Sequence, residues 1–190
     1  PIYPYPTFHI DDSILGMRVC GWMEKAYDIT GYLYYSVNKY TYSPERTEDN
    51  YVDVYETAAR YDEVNGDGYL FYPGKYYGSK KPFASVRLAS FRDSMDDYDM
   101  LCVYENLLKA YAENKGIEDF DFNDYVADLY DGLFKGTVAQ SDDALVYQAR
   151  EELANRILTL KNTGEPVVNE TKQIVLTDFA GDIKDVKVSG

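Results

Sequence analysis

The sequence has little of the chemistry that metal sites and nucleophilic sites use most often. Its only histidine is His9, and its only cysteines are Cys20 and Cys102. A zinc site or a Ser-His-Asp triad is therefore poorly supported. Two cysteines make no disulfide framework, and we expect both to be buried free thiols because each lies in a helix-like apolar pattern. His9 lies in an apolar, strand-like run, which favours a structural role.

Positive charge is also scarce, since 19 Lys and Arg stand against 33 Asp and Glu, giving a net charge of −14. Such a chain repels phosphate backbones and anionic lipids, which argues against nucleic-acid and membrane partners. No apolar run approaches the roughly 20 residues of a membrane span, and no signal peptide is present. The sequence begins Pro-Ile-Tyr-Pro without Met, so we expect the interior of a longer protein or a processed end, and the cellular compartment stays open.

Tyrosine is abundant, with 21 among 190 residues. A chain of this length can bury one real hydrophobic core. Tyrosine combines a flat apolar ring with a hydroxyl, which suits half-wet surfaces such as sugar clefts and interfaces. A Tyr-rich core is the alternative interpretation of the same composition.

The first 40 residues predict a β-α-β unit. Residues 5–10 are typical of a short strand, and residues 31–40, GYLYYSVNKY, of a strong strand rich in aromatic and β-branched side chains. Between them, an apolar stripe preceded by good N-cap residues predicts a helix over residues 13–27. A parallel strand pair is the natural outcome of this order, and the expected fold class is α/β.

Helices are expected to dominate the rest of the chain. Apolar spacing predicts a long helix over residues 85–114, ended by Gly116. Two further helices are expected over residues 123–134 and, capped by Ser141, over residues 142–161. The tail alternates like short strands. The chain is thereby divided into a first part of residues 1–116, a helical extension of residues 117–163 and a β-like tail of residues 164–190.

The stretch EVNGDGYLFYPG, residues 63–74, resembles the start of a calcium loop. Oxygen-bearing side chains alternate along its first half, and Gly68 occupies the sixth position. The twelfth position is Gly74, which has no carboxylate, and Pro73 prevents a following helix. Asn-Gly and Asp-Gly in succession favour a tight turn into an extended segment instead. We therefore expect no metal and no cofactor.

Four pieces of the sequence follow one another with fitting gaps. They are RVCGWMEKAYDI, which contains Arg18 and Trp22, then GYLYYSVNKY at 31–40, GDGYLFYPG at 66–74 and SVRLASFRDSMDDYDML at 85–101. In this order they resemble the C-terminal part of glycoside hydrolase family 123 and its relatives, a region also called domain of unknown function 4091. The resemblance covers about residues 5–110.

The resemblance implies a (β/α)8 TIM-like barrel, of which this chain would hold the last two β/α units. Residues 5–10 would be the seventh strand, residues 31–40 the eighth, and the helix from Ser85 the last barrel helix. Extra helices and a short β tail would follow. Members of the family resemble retaining hexosaminidases in which the acetamido group of the substrate is the nucleophile and an adjacent Asp-Glu pair lies on an earlier strand.

We find no counterpart of that pair, so no catalytic residue is predicted. A glycosidase needs two catalytic groups, or one group and a nucleophile on the substrate. The expectation is a C-terminal fragment of a glycoside hydrolase, inactive alone, that completes the barrel and part of the sugar site. A partial barrel leaves strand edges and apolar faces uncovered, which predicts self-association or cover from the later helices.

Candidate sugar contacts follow from the rule that barrel active sites lie at the C-terminal ends of strands. Asn38 can donate to and accept from sugar hydroxyls, and satisfying the loop backbone is its alternative role. Tyr35 corresponds to a position that is often aromatic in the family, and packing against a helix is its alternative role. Tyr72, beside Pro73-Gly74, could stack on a sugar ring.

Charged residues on the predicted helices are interpreted as structural and not catalytic. Neighbours one turn apart along a helix pair readily, and the planar fork of arginine suits carboxylates and carbonyls. We expect this group to tie the last helix to the NGDG–YPG loop. For Arg18 we expect a related role below the sugar site. The group consists of Arg18, Arg87, Arg92 and Asp97.

Two other functions stay open at this point. A stand-alone carbohydrate-binding or accessory module is supported mainly by the abundance of tyrosine. A calcium-dependent structural module is supported only by the partial loop at residues 63–74. A carbohydrate is the expected partner both of a glycoside hydrolase fragment and of a carbohydrate-binding module. The resemblance implies an N-acetylhexosamine glycan.

Overall fold

The computed structural model describes residues 5–40, 53–61, 64–139, 142 and 144–167. These residues contain four α-helices and three two-stranded antiparallel pairs. The elements in chain order are α1 (Gly16–Ala26), β1 (Ala59–Tyr61), β2 (Val64–Asn65), β3 (Phe71–Tyr72), β4 (Phe83–Ala84), α2 (Val86–Lys115), α3 (Ala127–Leu133), β5 (Phe134–Lys135), β6 (Val138–Ala139) and α4 (Ala144–Thr163).

The longest helix agrees closely with its prediction. The side-chain oxygen of Ser85 accepts the backbone N–H of Leu88 at 3.2 Å, which caps the start of α2. A cap of this kind contributes about 1 kcal/mol. Gly116 ends the helix with φ at 70°, in the left-handed region that glycine enters without a Cβ clash. The predicted span of residues 85–114 is confirmed to within one residue at each end.

The first helix begins later than predicted. α1 starts at Gly16 and not at Ser13. The side-chain oxygen of Ser13 accepts the N–H of Leu15 at 3.3 Å, and its carbonyl accepts the N–H of Gly16 at 3.0 Å. Ser13 therefore stabilises a turn that leads into the helix. The helix itself is confirmed, and its last residue is Ala26.

The two segments predicted as strands, residues 5–10 and 31–40, form no regular strand. They lie side by side, with the Phe8 ring 4.8 Å from the Tyr34 ring and 5.8 Å from the Tyr32 ring, measured between centroids. A parallel ladder needs paired backbone groups over several residues, and the described parts of these segments make no such ladder with each other. The prediction that these two segments are paired β-strands is therefore wrong, because their backbones form no hydrogen-bonded ladder with each other.

The connection of residues 64–72 joins the C-terminal ends of both segments. The N–H of Ile10 donates to the carbonyl of Asn65 at 2.9 Å, and the N–H of Lys39 donates to the carbonyl of Gly68 at 2.9 Å. Both segments therefore run towards the same connection, as parallel neighbours would. The contact across the pair is made by side chains and by this shared partner.

The predicted helix over residues 123–134 is interrupted. A 3₁₀ turn, Phe122–Tyr125, precedes α3, and the chain then enters the β5–β6 hairpin at Phe134. Gly136 forms the hairpin turn with φ at 58°, where other residues are strained. Helical spacing of apolar residues continues across the end of the 3₁₀ turn, from Val126 to Leu133, which explains why the sequence pattern gave no sign of the break at Val126.

The last described helix, α4, confirms the helix predicted over residues 142–161. The carboxylate of Asp142 accepts the N–H of Ala144 at 2.9 Å, and Gly164 ends the helix with φ at 75°. The predicted cap, Ser141, and most of the predicted β-like tail lie outside the described residues.

One hydrophobic core joins all four helices. Trp22 of α1, Leu101 and Leu108 of α2, and Leu153 of α4 are each completely inaccessible to solvent. The core is therefore continuous across residue 116. A second, smaller cluster of Phe8, Met17 and Leu70 packs beneath the N-terminal part of α2. None of the described helices has the length and apolar character required to cross a membrane.

Candidate functional site

The β3–β4 hairpin carries most of the candidate site in its loop, residues 73–82, here called the hairpin loop. A 3₁₀ turn, Gly74–Tyr77, opens this loop. Gly74 lies so close to the carbonyl of Lys81 that a Cβ would come within 2.0 Å of that oxygen. The side-chain oxygen of Ser79 donates to the carbonyl of Lys81 at 2.9 Å and accepts its N–H at 3.1 Å. The loop is thus held in one shape by contacts that require glycine at position 74.

One side of the hairpin is an aromatic concavity, here called the aromatic face. The Tyr55 ring lies 5.3 Å from the Tyr72 ring and 5.1 Å from the Tyr77 ring, measured between centroids. The hydroxyl of Tyr55 donates to the carbonyl of Pro73 at 3.1 Å. The concavity has a volume of about 410 Å³ and is lined by Tyr55, Tyr72, Tyr77 and Phe83.

The other side of the hairpin is a second concavity, here called the lysine-lined cavity. Phe71 lines this cavity whereas Tyr72 lines the aromatic face, because successive side chains of a strand point to opposite sides. The cavity has a volume of about 680 Å³. Three lysines and no acidic residue are among the described residues that line it. The polar lining residues used below are Asn38, Lys75, Lys80 and Lys81.

The three predicted sugar contacts lie in three different places. Tyr72 is part of the aromatic face, and Asn38 lies in the lysine-lined cavity, where its backbone forms an isolated bridge with Tyr69. Tyr35 lines neither concavity and is 57% exposed. Its neighbour Tyr34 is packed against the cluster of Phe8, Met17 and Leu70. Both the sugar contact and the helix packing considered for Tyr35 stay predictions.

The sequence did not reveal the partners of Tyr72. Tyr55 lies 17 residues before Tyr72, and Tyr77 and Phe83 lie within and just after the stretch YYGSKKP, residues 76–82, whose composition predicts only a loop. The adjacent Lys80 and Lys81 were also not identified from the sequence as candidate binding residues. The available signal was the concentration of aromatic and basic residues on both sides of Pro73-Gly74, in a chain that is otherwise acidic.

Arg87 ties α2 to the NGDG turn. Its guanidinium donates from Nη1 to the carbonyls of Phe8 and Gly66, each at 2.7 Å, and lies 5.2 Å from the centre of the Tyr69 ring. Gly66 has φ at 83° and a Cβ there would meet Ile10 at 2.6 Å, so the predicted turn requires glycine. One side chain thus joins the helix, residues 5–10 and the turn.

The other members of the charged group have different partners from those predicted. Asp97 is fully buried and accepts from Arg18 Nε at 3.0 Å, from Trp22 Nε1 at 3.2 Å and from Arg150. Asp97 and Arg18 therefore join α2 to α1 and α4, and not to the NGDG–YPG loop. Arg92 pairs with its neighbour Asp93 at 2.7 Å, and among the described residues it forms no hydrogen bond or ion pair with the NGDG–YPG loop. That pairing lowers the pKa of the Asp93 carboxyl.

Two tyrosine hydroxyls at the concavities, those of Tyr40 and Tyr55, suit hydrogen bonding and not proton transfer. Burial and the neighbouring Tyr55 raise the pKa of Tyr40, which lines the lysine-lined cavity, to about 12. Burial and the neighbouring tyrosines Tyr77 and Tyr72 also raise the pKa of Tyr55. These hydroxyls stay protonated at neutral pH and act as hydrogen-bond donors. No carboxylate is among the described residues that line either concavity.

Metal ligation receives no support from the described part of the chain. No group of three or more His, Cys, Asp or Glu side chains is arranged to hold an ion there. Glu63, the first position of the partial calcium loop, lies outside the described residues. Cys20 and Cys102 are free, as predicted, but only partly buried, and burial raises the pKa of the Cys20 thiol to about 12.

Comparison with protein families gives the identity of this region. Residues 4–104, just over half of the chain, match the family described as glycoside hydrolase 123, catalytic domain. A comparison with curated proteins returned no match. The family match spans α1, the NGDG turn, the β3–β4 hairpin and most of α2, so both concavities lie within it. The chain therefore belongs to glycoside hydrolase family 123.

Proposed function

We propose that this chain provides part of the carbohydrate-binding surface of a glycoside hydrolase. The observation that supports this function is the aromatic face, a concavity lined by four aromatic rings inside the region that matches the family. Ligand sites are concave and mostly apolar, with a few polar groups that fix orientation. Flat rings suit the C–H faces of sugars, and Tyr72 is one of the four lining rings, held between Tyr55 and the buried Tyr69.

The same proposal includes completion of a barrel by the last two β/α units. Residues 5–10 and 31–40 approach one connection as parallel neighbours, and each is followed by a packed helix. Leu33 and Tyr35 are 87% and 57% exposed on one face of the second segment. Further β/α units would cover this apolar face. Self-association of the chain is the alternative way to cover this face. Light scattering of the purified chain distinguishes a monomer from an oligomer.

We further propose that the chain is inactive alone and that a substrate-assisted hexosaminidase mechanism belongs to the longer protein. The described residues that line the two concavities include no carboxylate, whereas a glycosidase needs two catalytic groups, or one group and a nucleophile on the substrate. The chain does contain one adjacent Asp-Glu pair, Asp62-Glu63, outside the described residues. A chromogenic N-acetylhexosaminide should therefore be cleaved no faster by this chain than by its D62N/E63Q variant. Cleavage by the unmodified chain that is lost in the double variant would contradict the proposal that the chain is inactive alone.

The binding proposal is tested by replacing Tyr72 with alanine. We expect the affinity for an N-acetylgalactosamine oligosaccharide, measured by titration calorimetry, to fall about tenfold because one of the four rings of the aromatic face is lost. Tyr5→Ala is the matched control, since Tyr5 is 56% exposed and lies outside both concavities. Absence of binding by the unmodified chain at millimolar ligand, or equal losses in both variants, would contradict the proposal.

A further inference from the structure

We propose that the lysine-lined cavity binds a negatively charged substituent, a sulfate ester or a carboxylate, carried on a sugar ring. This inference rests on the proposed function, because it assumes that the hairpin region binds carbohydrate. It adds a ligand class to a cavity whose occupant the family match does not specify.

The first argument is the segregation of charge. The chain carries 33 Asp and Glu against 19 Lys and Arg, yet the described lining of this cavity has three lysines and no acid. Lys80 and Lys81 are exposed at the cavity edge, and neither forms an ion pair with any described residue. Two ammonium groups adjacent in sequence give an anion several donors at one place.

The second argument is the rest of the lining, which matches the body of a sugar. Val37, Phe71 and Pro82 give the cavity an apolar surface for the C–H face of a ring. The side-chain amide of Asn38 can donate to and accept from hydroxyls. A volume of about 680 Å³ lies within the usual range of roughly 300–1,000 Å³ for ligand sites. A bare anion would leave the apolar surface without a partner, whereas a charged sugar uses both parts.

The third argument is preorganisation of the hairpin loop. The contact between Gly74 and the carbonyl of Lys81, together with the two hydrogen bonds of Ser79, fixes the backbone that carries Lys80 and Lys81. A loop already held in its bound shape loses less conformational entropy when the ligand binds. The lysine backbones therefore need no large rearrangement to meet an anionic group.

The net charge of the chain limits which anions can enter. At −14 the molecule repels long polyanions such as nucleic acids, whereas one sulfate or carboxylate meets mainly the local field of the lysines. Affinity that depends on these exposed lysines should fall as salt screens them, with a Debye length of about 8 Å at physiological ionic strength.

The experiment compares four ligands by calorimetry on the full 190-residue chain. They are N-acetylgalactosamine, its 6-sulfate, glucuronic acid and inorganic sulfate. We expect the 6-sulfate, glucuronic acid or both to bind at least about tenfold more tightly than the neutral sugar. The double variant K80Q/K81Q should lose this preference and keep the affinity for the neutral sugar, whereas K80R/K81R should keep the preference.

The matched control is K135Q/K161Q, which removes the same charge from two exposed lysines outside the cavity. A loss of preference there would show that only net charge matters and would overturn the inference. Equal affinity for neutral and charged sugars would overturn the inference and leave the proposed function intact, whereas no binding of any sugar would contradict both. If inorganic sulfate bound as tightly as the sugar sulfate, the sugar ring would contribute nothing to binding. The cavity would then be a simple anion site, and the inference would be wrong.

Discussion

At the residue scale, Gly21 shows how one missing side chain sets the distance between two helices. Its N–H donates to the side-chain oxygen of Ser94 on α2 at 2.7 Å, and that hydroxyl donates to the carbonyl of Arg18 at 3.0 Å. A Cβ at position 21 would lie 2.3 Å from the carbonyl oxygen of Ser94. α1 and α2 can therefore approach this closely only because position 21 is glycine.

Gly21→Ala should lower the free energy of unfolding by about 1–3 kcal/mol, because the added methyl group forces the two helix backbones apart. Gly16→Ala is the matched control on the same helix, since a Cβ there would have its nearest contact at 3.6 Å, with Pro6. We expect that variant to be neutral or slightly stabilised. Urea unfolding followed by the fluorescence of Trp22 measures both, and equal midpoints would contradict the close-approach argument.

The candidate site could be predicted only in part at this scale. Tyr72 was identifiable because it stands beside Pro73-Gly74, a local signal that indicates a turn at a strand end. Tyr55 and Lys81 gave no such signal, because their places on the two concavities depend on contacts between residues distant in sequence. Asn38 was assigned to a sugar site from its position at the end of a predicted strand, and its direct contact with sugar stays a prediction.

At the scale of elements, Asp97 joins three helices. Its carboxylate accepts from Arg18 and Trp22 of α1 and from Arg150 of α4. The Arg18 side chain is only 8% exposed, whereas that of Arg150 is 35% exposed. The two arginines therefore differ in what happens if the carboxylate charge is removed, because only Arg150 can turn readily to water.

Asp97→Asn should reduce the free energy of unfolding by about 3–5 kcal/mol, since the buried Arg18 charge then loses its counter-charge. Arg150→Gln should cost only about 1 kcal/mol, because Asp97 keeps its bonds to α1. Guanidinium unfolding of the two variants beside the unmodified chain tests this ranking. A larger loss for Arg150→Gln would mean that the contact with α4, and not the one with α1, neutralises Asp97.

Helices were predicted more successfully than strands for a physical reason. The bonds that define α2 run between residues four apart, and its ends carry local signals, Ser85 and Gly116. A strand is defined by partners elsewhere in the chain. The β-branched and aromatic pattern of residues 31–40 therefore predicts side chains that pack well on a half-buried surface, but it does not predict a partner strand for backbone hydrogen bonding. That segment found a single described bridge, between Asn38 and Tyr69.

At the scale of the whole molecule, the family region depends on residues beyond it. The match to glycoside hydrolase family 123 ends at residue 104, within α2. The hydrophobic core nevertheless continues into α3 and α4, and Val126 just before α3 and Leu153 in α4 are completely buried together with Trp22. The structure therefore predicts one cooperative unit across the end of the family match.

Leu153→Ala tests this dependence from outside the family region. Leu153 is fully buried, so its truncation should cost about 2–5 kcal/mol, whereas Leu158→Ala, on the same helix at 55% exposure, should change stability by less than about 0.5 kcal/mol. Trp22 is the only tryptophan and lies inside the family match, and its ring packs against Tyr130 of α3, so its fluorescence reports how that region packs against the later helices. If α4 belongs to the same cooperative unit, Leu153→Ala must shift the Trp22 midpoint and the circular-dichroism midpoint together. A Trp22 midpoint that stays in place while part of the helical signal melts earlier would show instead that the later helices fold as a separate unit.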